Sequence, residues 1–350
     1  MPATKNNKSV PGESAPDAER VASLAWAGLH GKAIDVATAA LATATSILER
    51  MLLMALRSES HLAVTDPAQA LADATAMQAL ARQDGSAAMQ ARALACLSLV
   101  QMRGGQVELA RKAAGDALAA AQRSRQRPLQ ALALLRQAQA ELGTFGEPSP
   151  QCAGLAMAAA TLFEQVGEPV LQGRALRIAA SAQRNDGLDG RFGALAEQAL
   201  ALARGTGDRV GEGAALNLHS GDPDIAVRVR GLKLALAAYQ AAGDQPGQAN
   251  VYNNLSLAYG RLGLFRLARR MILRCKEFTA SARRPEVLIN CLAILARLEW
   301  SLGHADAAAR AHAAMRATLA VDPTDRMRDR VAMENIHEDK QRGRHADASL

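Results

Sequence analysis

The chain has 350 residues, of which 49% are hydrophobic but only 3% aromatic, and its net charge is +7. The apolar fraction is therefore mostly Ala and Leu, which are strong helix formers. No clear run of alternating β-branched residues predicts strands, so we expect an all-α protein. The modest positive charge is spread over a long chain and argues against a nucleic-acid-binding tail.

The N-terminal residues 1–15 contain Lys, Ser and Pro but no apolar segment typical of a signal peptide, and we predict a disordered tail. The most apolar run, Met51 to Leu56, is too short to span a bilayer. The four cysteines lie far apart within Ala/Leu-rich runs, which favours buried thiols in a reducing compartment. We therefore expect a cytoplasmic protein without a membrane contact.

Short patterns of turn and helix-end residues recur along residues 16–350 and predict one helical repeat domain. A turn residue is followed by an alanine that we place where the second helix of a hairpin crosses the first, since a small side chain permits close packing there. Glycine next to an acidic residue separates successive hairpins. The crossing alanines are Ala70, Ala110, Ala226, Ala268, Ala308 and Ala348, and the separators are Asp84-Gly85, Gly167-Glu168, Gly207-Asp208 and Gly243-Asp244.

Two departures from this pattern are predicted. The segment from Gly207 to Ala226 is six residues shorter than its counterpart from Gly243 to Ala268, so the helix that carries Ala215 to His219 is expected to be truncated, leaving a notch or a kink. At the other end, Gly343 is expected to start a turn, so that the chain ends in mid-repeat.

The best-defined hairpin spans residues 243–268. Tyr252, Leu255, Tyr259 and Leu262 recur at helical spacing, Gly263 ends the helix, and Ala268 begins the next apolar face. This order resembles the tetratricopeptide repeat (TPR) family, with a period nearer 40 residues than 34. It is similar to the longer TPR regions of bacterial LuxR-type regulators, nucleotide cyclases and diguanylate cyclases. The resemblance covers roughly residues 60–350 and is strongest over 225–320.

The resemblance implies a right-handed superhelical solenoid of antiparallel helix hairpins, whose first helices line a concave groove that holds extended peptides. The candidate groove residues lie beside the apolar comb of this hairpin (Tyr252, Leu255, Tyr259 and Leu262) and at the corresponding positions of the next hairpin; the alternative is that they are ordinary solvated side chains. They are Asn253, Asn254, Leu257, Arg261, Asn290, Arg297 and Trp300.

The second helices of the same region are rich in basic residues, which we call the basic outer face. They suggest an acidic protein partner, with nucleic acid unlikely, or simply a solvated surface whose Arg stems cover apolar neighbours. The residues are Arg228, Arg230, Lys233, Arg266, Arg269, Arg270 and Arg274.

No motif predicts catalysis, a cofactor or a metal. His219 with Asp222 and Asp224, and His304 with Asp306 and His312, are better explained as turn and capping residues than as metal ligands. We therefore expect a non-catalytic protein- or peptide-binding TPR scaffold or sensor. The alternative is the N-terminal regulatory region of a larger bacterial signalling protein, a nucleotide cyclase, diguanylate cyclase or LuxR-type regulator whose output domain is absent from this chain.

Overall fold

The computed structural model describes residues 16–142, 151–183, 191–281, 285–321 and 325–347. Within those ranges the regular structure is helical, which confirms the all-α prediction. The helices, which we number in chain order, are α1 (Pro16–Trp26), α2 (His30–Thr43), α3 (Ile47–Ala63), α4 (Pro67–Asp84), α5 (Ala87–Arg103), α6 (Val107–Ser124), α7 (Arg127–Leu142), α8 (Cys152–Val166), α9 (Pro169–Gln183), α10 (Arg191–Thr206), α11 (Arg209–Asn217), α12 (Ile225–Ala241), α13 (Gln245–Arg261), α14 (Phe265–Ser281), α15 (Pro285–Ser301), α16 (Ala305–Val321) and α17 (Asp325–Asp347). A short 3₁₀ helix, Leu218–Gly221, lies between α11 and α12.

The odd-numbered helices are the first helices of hairpins and the even-numbered ones are the second helices. Helices α3, α5 and α7 begin at residues 47, 87 and 127, and helices α13, α15 and α17 begin at 245, 285 and 325. The repeat is therefore 40 residues long in both parts of the chain, as predicted. From α1 to α8 and from α11 to α17, neighbouring helices pack against each other in sequence order, as expected for stacked hairpins.

The chain divides into two compact units. Unit 1 comprises residues 1–182 with 205–208, and unit 2 comprises residues 183–204 with 209–350. Each has its own apolar core. In unit 1 Met51, Met77 and Phe163 are buried among many alanines, and in unit 2 Leu255 and Ile272 are buried. The single continuous body predicted for residues 16–350 stays a prediction.

The alanines predicted at the hairpin crossings are buried in four cases. Ala70, Ala110, Ala268 and Ala308 have no exposed surface, in agreement with close packing of the two helices. The prediction is wrong for Ala226, which is exposed.

The exception at Ala226 follows from the truncated first helix of its hairpin. Helix α11 has only nine residues and continues as the 3₁₀ helix, which confirms the predicted shortening. The close approach of the two segments moves to Gly231, where an added Cβ would lie 2.6 Å from the Cβ of His219. In this hairpin glycine thus takes the place that alanine has in the others.

The separators between hairpins form the expected helix ends. Gly85, Gly167, Gly207 and Gly243 all have positive φ angles. After Gly243, the carboxylate of Asp244 caps α13 by accepting a hydrogen bond of 3.1 Å from the backbone N–H of Gly247. The left-handed glycine ends one helix and the acid starts the next.

The turn predicted at Gly343 is not formed. Helix α17 runs without interruption from Asp325 to Asp347 and includes Gly343, while Ala348 lies outside the described residues. A single glycine costs a helix only about 1 kcal/mol relative to alanine, and the surrounding residues are good helix formers without proline.

Among the described helices, none is long and apolar enough to cross a membrane.

Candidate functional site

Four asparagines on three successive first helices of unit 2 are joined by side-chain hydrogen bonds. The amide of Asn254 on α13 donates to Asn217 on α11 at 3.0 Å, and Asn290 on α15 donates to Asn253 on α13 at 3.2 Å. Asn253 and Asn254 are themselves in contact at 3.5 Å. We call Asn217, Asn253, Asn254 and Asn290 the asparagine ladder.

The asparagine ladder has a sequence signal that the periodicity of single helices does not contain. Each of its contacts between helices joins residues 37 positions apart, and so does the contact between Arg297 and Glu334. Side chains that meet across neighbouring first helices are therefore separated by one repeat of 40 residues minus about one helical turn. This rule adds Asn217 and Glu334, which were missed, to the predicted Asn253, Asn254 and Asn290.

Two turns after Asn290 on α15, Arg297 forms an ion pair within unit 2. The guanidinium of Arg297 makes two hydrogen bonds to the carboxylate of Glu334 on α17, one of them 3.1 Å long. Arg330 approaches the same carboxylate at 3.6 Å. Glu334 is fully buried, whereas 47% of the Arg297 side chain is exposed. The sequence predicts Arg297 as a residue that grips a partner, but its charge is used within the chain.

The other predicted groove residues differ in how they are placed. Arg261 is exposed at the end of α13 and has no ion-pair partner among the residues described. Leu257 is also exposed, to 47%, although it is apolar. Trp300 is half-buried rather than exposed, which corrects its description as an exposed anchor.

The apolar comb of α13 is arranged as predicted except at its last two members, since Tyr259 is half-buried and Leu262 is 46% exposed. Leu255 is buried, and Tyr252 stacks on Phe278 of α14 with ring centroids 6.0 Å apart. Tyr259 packs against the core that contains Ala268, but it is half-buried rather than buried. The comb therefore fixes α13 against α14 and orients Asn253 and Asn254 toward the neighbouring first helices.

All four cysteines are buried, as predicted. Burial raises the pKa of Cys96 and of Cys152 to about 11. In unit 2, the sulfur of Cys275 on α14 lies 3.1 Å from that of Cys291 on α15, and this thiol contact is part of the apolar core.

The basic outer face is partly neutralised by the chain itself. Arg228 donates to the backbone carbonyl of Asp222, Arg269 to the buried Glu299, and Arg274 to Glu277. The remaining members are exposed and have no ion-pair partner among the described residues; they are Arg230, Lys233, Arg266 and Arg270.

Unit 1 contains a charged cluster that the sequence pattern does not indicate. Glu59 on α3 accepts hydrogen bonds from Arg136 on α7 at 2.6 Å and from Arg174 on α9 at 3.1 Å. Arg174 also lies 3.8 Å from the buried carboxylate of Asp208. Burial alone would raise the pKa of Glu59, but the charges and hydrogen bonds of Arg136 and Arg174 outweigh it and lower the pKa to about 2.

The histidines predicted to have structural roles are used in packing and in contacts with carboxylates. His304 contacts the buried Glu299 at 2.8 Å, and His312 is fully buried 3.7 Å from the carboxylate of Glu338. Burial lowers the pKa of His312, which favours its neutral form. Within the described parts of the chain, no three His, Cys, Asp or Glu side chains are grouped as metal ligands.

No protein-family model matches the chain, and no curated protein matches it in sequence. Its structure is similar to that of a Rap protein complexed with Competence and Sporulation Factor, with a TM-score of 0.61 and 11% identity over 95% of this chain and 98% of that one. It is also similar to a Signal Transduction ATPase with Numerous Domains from Pyrococcus horikoshii that has a tetratricopeptide repeat sensor, with a TM-score of 0.53 and 13% identity over 97% of this chain and 55% of that one. The fold is therefore that of a TPR-like helical solenoid.

Proposed function

We propose that this TPR-like chain is a non-catalytic binding module that holds an extended segment of a partner protein along the asparagine ladder. The observation that carries the proposal is the ladder itself, which places side-chain amides on three successive first helices. A side-chain amide has two N–H donors and an oxygen with two lone pairs. Asn253 and Asn290 each donate one N–H and accept one hydrogen bond within the chain, so each keeps one donor and one lone pair for a partner. The groove would be completed by Leu257, Arg261, Arg297 and Trp300.

The spacing of the ladder suits an extended main chain. Packed helices lie about 8–10 Å apart, and an extended chain advances about 3.3 Å per residue. Successive helices would therefore meet every third peptide group, where one asparagine amide can accept from an N–H and donate to a C=O. Recognition of this kind depends on the backbone, and the exposed Arg261 would add attraction for a carboxylate.

The structural neighbours support a binding or sensing role. One of them was crystallised with Competence and Sporulation Factor, and the other carries a repeat described as a sensor. The second neighbour also favours the alternative in which this chain is the regulatory region of a larger bacterial signalling protein, because there a TPR sensor belongs to an ATPase. Mass spectrometry of the protein isolated from its native cells tests that alternative through the length of the mature chain.

A selection from a library of random 12-residue peptides tests the proposed groove. We expect peptides that bind the wild type but lose about tenfold or more in affinity for an Asn253→Ala, Asn290→Ala double variant whose circular dichroism is unchanged. Methylating single backbone nitrogens of a selected peptide should weaken binding at positions about three residues apart. Peptides that bind the double variant equally well, or a library that yields no binder, would contradict the proposal.

A further inference from the structure

A cleft of about 470 Å³ lies at the start of α12 in unit 2, away from the asparagine ladder. Side chains of α12 and one residue at the end of α13 line it. Its apolar surface comes mainly from Ile225, Val229 and Leu262, and two cations belong to its wall; the full lining is Ile225, Ala226, Val229, Arg230, Lys233 and Leu262. We call it the α12 cleft.

The cleft is a consequence of the truncated hairpin. Because α11 ends at Asn217 and the 3₁₀ helix follows, the first turn of α12 is left uncovered. Ala226 is exposed there, whereas the corresponding Ala70, Ala110, Ala268 and Ala308 are fully buried. The notch predicted from the short helix therefore corresponds to an apolar recess in the structure.

Two cations belong to the wall of the recess. Arg230 and Lys233 are exposed, and neither forms an ion pair with any described residue. The carboxylates of Asp222 and Asp224 lie nearby in the chain and keep their negative charge, but they accept hydrogen bonds from the backbone N–H groups of Asp224 and Ala226 and pair with neither cation. Acidic groups on a partner would therefore find two cations available.

Exposed apolar side chains extend the surface beyond the cleft. Leu234 is 51% exposed, Leu262 is 46% exposed and Leu264 is 44% exposed. One helix and one turn provide the entire lining, so a small molecule would remain largely uncovered, whereas ligand sites usually bury most of their ligand. A protein segment can cover the recess and the surrounding leucines together.

We propose that the α12 cleft docks an acidic segment of a partner protein, which inserts one large apolar side chain and places carboxylates against Arg230 and Lys233. An apolar anchor that fills a pocket with charged groups at the rim is a common arrangement of protein interfaces. No residue of the asparagine ladder lines the α12 cleft. Docking in the α12 cleft does not depend on the function proposed for the asparagine ladder.

The test is a selection from a library of 12-residue peptides built only from Leu, Ile, Phe, Asp, Glu, Ser and Gly. We expect enrichment of sequences in which one apolar residue is flanked by acids. Their affinity should fall about tenfold or more for an Arg230→Glu, Lys233→Glu double variant, and also for Ala226→Trp, which fills the recess without a charge change. Both variants alter exposed side chains, so circular dichroism should show them folded.

A matched control separates docking from general attraction of acids. Arg266→Glu with Arg270→Glu makes the same change of charge at two exposed arginines of α14 that do not line the cleft, and it should leave the affinity within about twofold. The asparagine double variant should likewise bind these peptides normally. Equal loss in both charge variants, indifference to Ala226→Trp, or no enriched peptide would overturn the proposal. Binding of dodecanoate that Ala226→Trp abolishes, without peptide binding, would overturn it in favour of a site for small amphiphiles.

Discussion

The guanidinium of Arg136 lies 2.6 Å from the carboxylate of Glu59, although 77 positions separate them in the chain. Arg174 donates to the other carboxylate oxygen at 3.1 Å, so the carboxylate of Glu59 connects three first helices of unit 1, namely α3, α7 and α9. The side chain of Arg136 is almost fully buried, whereas Glu59 keeps 29% of its side-chain surface. Removing the acid would leave buried positive charge without its partner.

We predict that Glu59→Gln lowers the free energy of unfolding at pH 7 by about 1–3 kcal/mol, because two arginines lose their carboxylate. The pKa of Glu59 is about 2 in the folded protein and 4.5 ordinarily. The ionised carboxylate therefore stabilises the fold fully above about pH 4.5, and this stabilisation is lost as the pH falls toward 2. Urea unfolding between pH 2 and 7 should show the wild type and the variant converging at low pH. Glu108→Gln, at an exposed ion pair, is the control and should change little.

We expect Ala268→Leu to destabilise the protein by about 1–3 kcal/mol, since the larger side chain overpacks a crossing where no surface is exposed. Ala226→Leu is the matched control, because it makes the same change at the corresponding exposed position and should stay within about 0.5 kcal/mol. Thermal and urea unfolding measure both. Equal effects of the two substitutions would show that the hairpin register is wrong.

Gly247→Ala should also destabilise the protein, because the added Cβ would lie 2.3 Å from the ring of the buried Tyr239. The expected cost is about 1–3 kcal/mol. Gly260→Ala in the same helix meets only a side-chain methyl of Leu298 at 3.9 Å, and it should be neutral or stabilising by up to about 1 kcal/mol. Chemical denaturation of the two variants side by side gives the comparison, and a stable Gly247→Ala protein would argue against this contact.

Arg297 and Arg261 should respond differently to truncation, although both are predicted from the sequence as groove residues. Arg297→Ala leaves the fully buried Glu334 without its two closest hydrogen bonds, and we expect it to cost about 1–3 kcal/mol of stability. Arg261→Ala removes an exposed side chain and should leave the unfolding curve unchanged. In peptide binding, Arg261→Ala should weaken a carboxylate-bearing ligand by about 1–3 kcal/mol. A loss of stability in Arg261→Ala, or none in Arg297→Ala, would contradict these assignments.

The four thiols should be unreactive toward a disulfide reagent such as DTNB in the native protein at pH 8. All four are buried, and the raised pKa values of Cys96 and Cys152 keep the nucleophilic thiolate scarce. Four equivalents should react after unfolding in urea. Ala237→Cys introduces an exposed thiol on α12 and is the positive control. A native wild-type protein in which several thiols react as fast as that control would refute the assigned burial.

The sequence predicted the helices, their 40-residue period and the short helix before Gly221, because helix formation and termination depend on local properties. Ala/Leu spacing selects the buried face, glycine with a positive φ ends a helix, and aspartate caps the next one. It also predicted Asn253, Asn254 and Asn290 as neighbours on successive helices, since a constant repeat length places equivalent positions side by side.

The ion pairs across the stack were decided only by the tertiary structure. The pairing of Arg136 with Glu59, and of Arg297 with Glu334, depends on which side chain extends far enough toward the next helix, and helical periodicity does not specify this. The exposure of Ala226 has the same origin: its local pattern matches that of Ala268, but the short α11 leaves it uncovered. The repeat pattern of the sequence determines the helices and turns of each hairpin, whereas packing against the adjacent helices determines which of its side chains remain exposed.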